Sequence, residues 1–324
     1  MLTRVADNLY WMSRYLERAD QTARSLRVQL GALADRPEPE VKAGWQRLFQ
    51  SLSVTPPGGE ELWLELQDDR ELLADAYTLT DLLTFDPDTP SSIRGLWATA
   101  RENARQARQE ITSEMWGELN RAWLDLRDRH LASFWNAQPQ DFFRRTSARI
   151  NQFWGVTDST LRHGLPWDFI RLGRYVERIQ LTAGILEAHR PVIEKQDKDL
   201  DGALLLRHCA SFEPYCKYHS ALIEPGQVMA FLIFEPHSPH TLRFCADEIS
   251  GALAQVDPVG GVRHPLRMPH RLAGQMRSLL AYSPQQPGDI TDTIHEIRRL
   301  SRDLHSEIYS RYIYYSADQA LRFG

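Results

Sequence analysis

Two ten-residue stretches, RYLERADQTA at 14–23 and RYVERIQLTA at 174–183, set the frame for this chain. Each lies in a run whose apolar residues recur at alternating steps of four and three. In the first run they are Val5, Leu9, Met12, Leu16, Ala19, Ala23, Leu26 and Leu30; a shift of 160 gives Leu165, Phe169, Leu172, Val176, Ile179, Ala183 and Leu186. This spacing is that of an α-helix with one narrow apolar seam. Thr3 is placed to cap the first helix, and Pro166 suits the first turn of the second. Two long helices with the same seam must each find a partner, which predicts a helical assembly.

A second echo follows each copy. FDPDTPSSIR at 85–94 matches FEPHSPHTLR at 234–243: a two-proline turn, a Ser/Thr cap and a helix start. The apolar face then reads Ile93, Leu96, Ala100, Ala104, Ala107 and Ile111 in the first copy, predicting one helix through 111, and Leu242, Cys245, Ile249 and Leu253 in the second. The segments before the turns, LTDLLTF at 79–85 and VMAFLIF at 228–234, read as helix ends although the latter is the best strand candidate in the chain. Residues 289–316 read as a last long helix with Ile294, Ile297, Leu304 and Ile308 inward, ending in Tyr309, Tyr312, Tyr314 and Tyr315. The order of elements thus repeats. The fold class expected is all-α, a helical bundle built from a tandem internal duplication, with halves 1–150 and 151–324 packed into one assembly.

Composition narrows the function. With 324 residues, 42% apolar and 25% charged, the chain can bury a sizeable core. A formal charge of −5 argues against a nucleic-acid or membrane-surface binder. The opening MLTRVADNLYW lacks the apolar stretch of a secretory signal, and no apolar run is long enough to span a bilayer. Cys209, Cys216 and Cys245 cannot all pair, so a reducing cytoplasm is the expected location.

The repeated motif carries the chemistry. At ~100° per residue, Tyr10, Arg14, Glu17, Gln21 and Arg24 form a polar stripe away from the seam, with Arg18 beside it. Facing water, a pair such as Arg14 and Glu17 contributes only ~0.2–0.5 kcal/mol. Buried, a glutamate between two guanidinium groups stays ionised, and the cluster either ties helices together or lines a polar cleft. Both readings remain open, as they do for Arg174, Glu177 and Arg178. Arg94, Arg101, Arg105 and Arg108 form a basic stripe that needs answering anions: Glu102, Glu114 and Glu118 nearby, Glu17 and Glu177 at a distance, or an anionic ligand.

Other constellations are weaker. Among His208, Cys209, Cys216 and His219, only Cys216-x-x-His219 has a zinc-like spacing, and no second knuckle follows. Asp292-x-x-His295 is a lone relative of the Glu-x-x-His pairs of di-iron bundles. No phosphate-binding glycine loop and no nucleophile elbow occurs, so neither a metal nor a cofactor is expected.

The stretches NLYWMSRYLERADQTARSL at 8–26, ARENARQARQEITSEMW at 100–116 and LGRYVERIQLTAGIL at 172–186 together resemble the alpha-E family of bacterial all-helical proteins, named for a Glu-Arg motif. The resemblance implies motif residues Arg14, Glu17 and Arg18; Arg101, Glu102, Asn103, Arg105 and Arg108 with Glu114 and Trp116; and Arg174, Glu177 and Arg178. It also implies an association with a circularly permuted ATP-grasp ligase and a transglutaminase-like protein in a system that makes or modifies peptides or amides. The second copy departs from the pattern at Ile179, Leu181 and Gly184 and is the more apolar. The leading expectation is a helical partner of an amide-forming ligase, its Arg/Glu clusters meeting an anionic substrate, a peptide or the ligase. The alternatives are an amide-transferring or hydrolysing enzyme with Glu17, Glu177 or Glu102 as acid/base, and a pure scaffold.

Overall fold

The computed structural model describes residues 3–33, 36–56, 76–194, 199–219, 223–258, 267–282 and 287–313. Among them are thirteen α-helices and no strand. In chain order these are α1 (Thr3–Ala32), α2 (Glu38–Leu52), α3 (Ala76–Thr84), α4 (Ile93–Gln106), α5 (Ser113–Arg127), α6 (Pro139–Thr160), α7 (Leu165–Glu194), α8 (Asp199–His208), α9 (Phe212–His219), α10 (Pro225–Phe234), α11 (Leu242–Val256), α12 (Met268–Tyr282) and α13 (Pro287–Ile308). None of the described helices is long and apolar enough to cross a membrane.

The seams of α1 and α7 build two cores. The whole α1 seam from Val5 to Leu30 is buried, in a core that includes Trp45 of α2, Trp97 of α4 and Phe143 and Phe153 of α6. Leu172, Val176, Ile179, Ala183 and Leu186 of α7 are buried in a second core with Leu232 of α10, Ile249 of α11, Met276 of α12 and Ile297 of α13. Leu165, expected on the seam, is instead 40% exposed, because it is the first residue of α7 and lies beyond the packed length. The two cores stand back to back, and between them α1 and α7 make the most extensive helix contact among the described residues. The polar stripe of α1 therefore faces α7 rather than water.

The close approach is set at one pair of equivalent positions, Ser13 and Gly173. Ser13 is fully buried and turns its hydroxyl back onto Tyr10 O at 2.8 Å. A Cβ on Gly173 would collide with both the Ser13 Oγ and the Tyr10 carbonyl. Glycine is required here because the neighbouring backbone occupies the space of a side chain.

The two proline turns make matching bonds. Ser92 Oγ accepts from Gly95 N at 3.2 Å and donates to Asp86 O at 2.9 Å, while Arg94 donates to Phe85 O. Thr241 Oγ1 accepts from Phe244 N at 3.3 Å and donates to Glu235 O at 2.5 Å, while Arg243 donates to Phe234 O at 3.4 Å. The segments that precede them are the helices α3 and α10, as the sequence predicts.

The helix expected through 111 is divided. α4 ends at Gln106, and Thr112 caps a new helix by accepting from Met115 N at 3.2 Å. Ala107 and Ile111 remain buried outside it, so the apolar spacing reports burial and the Thr cap sets the break. After α13 the chain makes a π-helical turn over Tyr309–Ile313, where Tyr312 donates to Asp257 at 2.8 Å; Tyr314 and Tyr315 lie outside the described residues.

Gly173→Ala is expected to destabilise the protein by roughly 1–3 kcal/mol through overpacking at the α1/α7 crossing. Gly155→Ala, on α6 with nothing within 4 Å of the added Cβ, should be neutral or stabilise by up to about 1 kcal/mol. Urea unfolding midpoints of the two variants check this, and equal midpoints would contradict it.

Candidate functional site

The two Glu-Arg motifs exchange partners across the α1/α7 interface. Arg14 Nε donates to Glu177 Oε2 at 2.6 Å and Arg18 Nε to Glu177 Oε1 at 2.6 Å. Reciprocally, Arg178 donates through Nε to Glu17 Oε1 at 2.6 Å and through a terminal nitrogen to Glu17 Oε2 at 2.9 Å. Arg174 Nε lies 3.6 Å from Glu17 Oε2. Each carboxylate thus sits among guanidinium groups of the other helix. The pairing of Arg14 with Glu17 within one helix, allowed by their spacing, is not made, because both point across the interface to α7.

Both glutamates are about as buried as side chains become, Glu17 at 2% and Glu177 at 1% exposure. Burial alone would push their pKa values up. The arginines outweigh it, Arg178 for Glu17 and Arg14 for Glu177, and hold both carboxyls below the usual carboxylate range. Two further donors are anchored to backbone carbonyls. Arg18 donates to Leu52 O at 2.9 Å, capping the end of α2, and Arg178 donates to Pro239 O at 3.0 Å in the second proline turn.

Two residues outside the sequence-derived set, Gln180 and His305, complete the Glu177 side, together with Tyr10 of the stripe. Arg14 donates to Gln180 Oε1 at 3.0 Å, and Arg14 and Tyr10 both reach His305 Nδ1, at 2.8 and 2.9 Å. Since the guanidinium can only donate, Nδ1 is the unprotonated nitrogen. Burial, and then the Arg14 charge, lower the His305 pKa to about 4, while burial raises Tyr10 to about 12. His305 comes from α13, and no periodicity in the sequence connects it to a motif about 290 residues earlier. Gln180 carries a positional signal, since it lies one turn after Glu177, where the similar stretch of α1 has Asp20.

The two sides are not equivalent. Asp20 is paired with Arg24 along α1, leaving Arg174 without the partner that Gln180 gives Arg14. The Arg174 guanidinium stacks over the Trp154 ring at 4.5 Å, and burial together with Arg178 lowers its pKa.

The other sequence-derived residues form a separate cluster. Arg101 donates to Asn120 Oδ1 at 2.8 Å and lies 5.3 Å from the centre of the Trp116 ring; Arg108 approaches the same ring at 5.8 Å and donates to Ile111 O at 3.4 Å. Arg105 and Glu102 form a surface pair at 2.6 Å, the carbonyl of Asn103 accepts from Ala107 N at the end of α4, and Glu114 is exposed in the first turn of α5. No described bond or ion pair links this stripe to Glu17 or Glu177, so these distant carboxylates are not its answering anions. It ties α4 to α5 around Trp116. His208, Cys209 and Cys216 belong to no group of metal-ligating side chains among the described residues.

An all-helical chain whose two longest helices are joined by a buried Glu-Arg exchange is defined by that motif. The chain belongs to the Alpha-E family: the family model, described as a predicted alpha-helical domain with a conserved ER motif, matches residues 1–313. Uncharacterized proteins of Mycobacterium bovis and Mycobacterium tuberculosis are each 22% identical to it over 291 residues, which is 85% of this chain and 32% of theirs. The chain therefore spans about a third of the length of the curated relatives it matches. No solved structure matches it.

Removing either carboxylate charge strands buried arginines, so Glu177→Gln and Glu17→Gln should each cost about 3–5 kcal/mol, whereas exposed Glu102→Gln should leave the unfolding midpoint unmoved. Acid should act in two stages. His305, and His189 buried on α7 with its Nδ1 2.9 Å from Ile185 O, both have pKa values lowered by burial to about 4 from 6.5, so the stability they contribute is present above pH 6.5 and is lost as pH falls toward 4. The glutamates, lowered from 4.5, contribute above that pH and lose their contribution below it. Urea titrations from pH 7 to pH 3 check the sign: stability that rose on acidification would refute the assignment.

Proposed function

We propose that this chain is a helical partner in an ATP-grasp-dependent system that forms or modifies peptides or amides, and that the ligase rather than this chain activates the substrate. The observation that carries this reading is the state of Glu17 and Glu177. A general acid/base needs a pKa near the working pH and a path to its substrate. These carboxyls are buried, clasped by guanidinium groups and ionised well below neutrality. Glu102 is an exposed surface pair with Arg105. The geometry therefore favours a binding and assembly role over catalysis by the motif glutamates.

The resemblance to a family associated with circularly permuted ATP-grasp and transglutaminase-like proteins supplies the partner. The greater length of the mycobacterial relatives supports a module that works beside further polypeptide. In this reading the segments 1–150 and 151–324 are duplicated halves, joined at the clasp, and the protein acts in the cytoplasm. A scaffold reading is favoured by one feature, the burial of the whole motif. The two part company over the ligase.

Co-purification with a circularly permuted ATP-grasp ligase, and ligase turnover with and without this chain, form the test. A stable complex and a rate at least several-fold higher are expected. Unchanged turnover without association would refute the partner role.

A further inference from the structure

Beside Glu177 the structure holds a cleft of about 90 Å³, bordered by Arg18, Arg298 and Arg302, the end of α2 at Ser51 and Ser53, and Ser301. A water occupies about 30 Å³ in the liquid, so this space would take about three, or one small oxyanion. No acidic residue lines it.

The charge balance around the cleft is uneven. Glu177 is shared by Arg14 and Arg18, and Glu187 pairs with Arg298. Arg302, one turn beyond Arg298 on α13, is exposed and has no ion pair among the described residues. Four guanidinium groups thus face two carboxylates, leaving two positive charges over.

A helix C-terminus normally repels an anion, and α2 ends here. Three of its last four carbonyls are already bonded, Phe49 O by Val54 N at 3.1 Å, Gln50 O by Ser53 N at 3.1 Å and Leu52 O by Arg18 at 2.9 Å. Ser53 itself stands at φ 53°, ψ 43°, the left-handed region that favours glycine, with its side chain exposed at the cleft. Strained non-glycine residues persist where the surroundings hold them and gather at ligand sites. Gly184 on α7 allows the turn to sit so close, since a Cβ there would lie 2.8 Å from Ser51 O.

We infer that this cleft is a phosphate-binding site, in which Arg18, Arg298 and Arg302 surround the phosphoryl oxygens and Ser53 supplies a hydroxyl. Two unbalanced positive charges match a dianion, and arginine forks suit the phosphoryl group. This goes beyond the ligase-partner role, and its failure would leave that role standing.

The test is titration of the full chain with inorganic phosphate at constant ionic strength, by calorimetry and thermal shift, with acetate and chloride as controls. Phosphate should bind saturably and raise Tm. Arg302→Ala should weaken binding at least tenfold and Arg302→Glu abolish it, with unchanged circular dichroism because Arg302 is exposed. Ser53→Gly should raise Tm in the absence of ligand yet weaken phosphate binding several-fold, a combination that a purely structural serine would not give. The absence of saturable phosphate binding, acetate binding equal to phosphate, or undiminished binding by Arg302→Ala would each overturn the assignment.

Discussion

Everything in this molecule is arranged around two carboxylates that have left water. Glu17 and Glu177 are buried at the contact of the two longest helices, and an ionised carboxylate there is tolerable only if charge and donors surround it. Each helix supplies arginines to the other's glutamate, so neither helix satisfies its own motif. Two apolar cores that could otherwise have been separate units become mutually dependent. The arginines extend that dependence outward: Arg18 fixes the end of α2, Arg178 the turn before α11, and Arg14 the histidine of α13.

The choice of ions over an apolar interface has a geometric consequence. Apolar seams on two packed helices tolerate a slip of one turn with modest loss, because one aliphatic side chain replaces another. An exchange between Arg14, Arg18 and Glu177 on one side and Arg178 and Glu17 on the other does not, since a slip opposes like charges or strands a buried one. Gly173 beneath Ser13 adds a steric lock at the same point. The ionic layer therefore contributes register, a role buried ion pairs serve better than they serve net stability.

The fold was largely legible because periodicity reports which residues share a face. Val5 to Leu30 and Phe169 to Leu186 are buried as their spacing requires, and Ser92 and Thr241 cap as their turns require. What a polar face meets is not written in its spacing. Arg14, Glu17 and Arg18 could have faced water, and only the packing of cores on both sides turns them inward. Arg101 and Arg108 show the converse: a basic stripe that invited a distant carboxylate is answered by the Trp116 ring on the next helix. Rings satisfy guanidinium groups without leaving a charge pattern to read.

The inequality of the two sides follows from two differences between the similar stretches of α1 and α7. Where the second copy has Gln180, the first has Asp20, and where the second has Gly184, the first has Arg24. Gln180 is free to accept from Arg14 and to donate to Ser301 O at 3.1 Å, which draws α13 onto the Glu177 side. Asp20 is held by Arg24 on its own helix and gives Arg174 no such bridge, so Arg174 turns to the Trp154 ring instead. Gly184, lacking a side chain, admits the end of α2 against α7, whereas the corresponding residue of α1 is Arg24, which bonds Asp20 and Gln21 on its own helix. One glutamine and one glycine thus bring α13 and α2 together beside Glu177, and the cleft exists on that side because a repeated motif was given unequal neighbours.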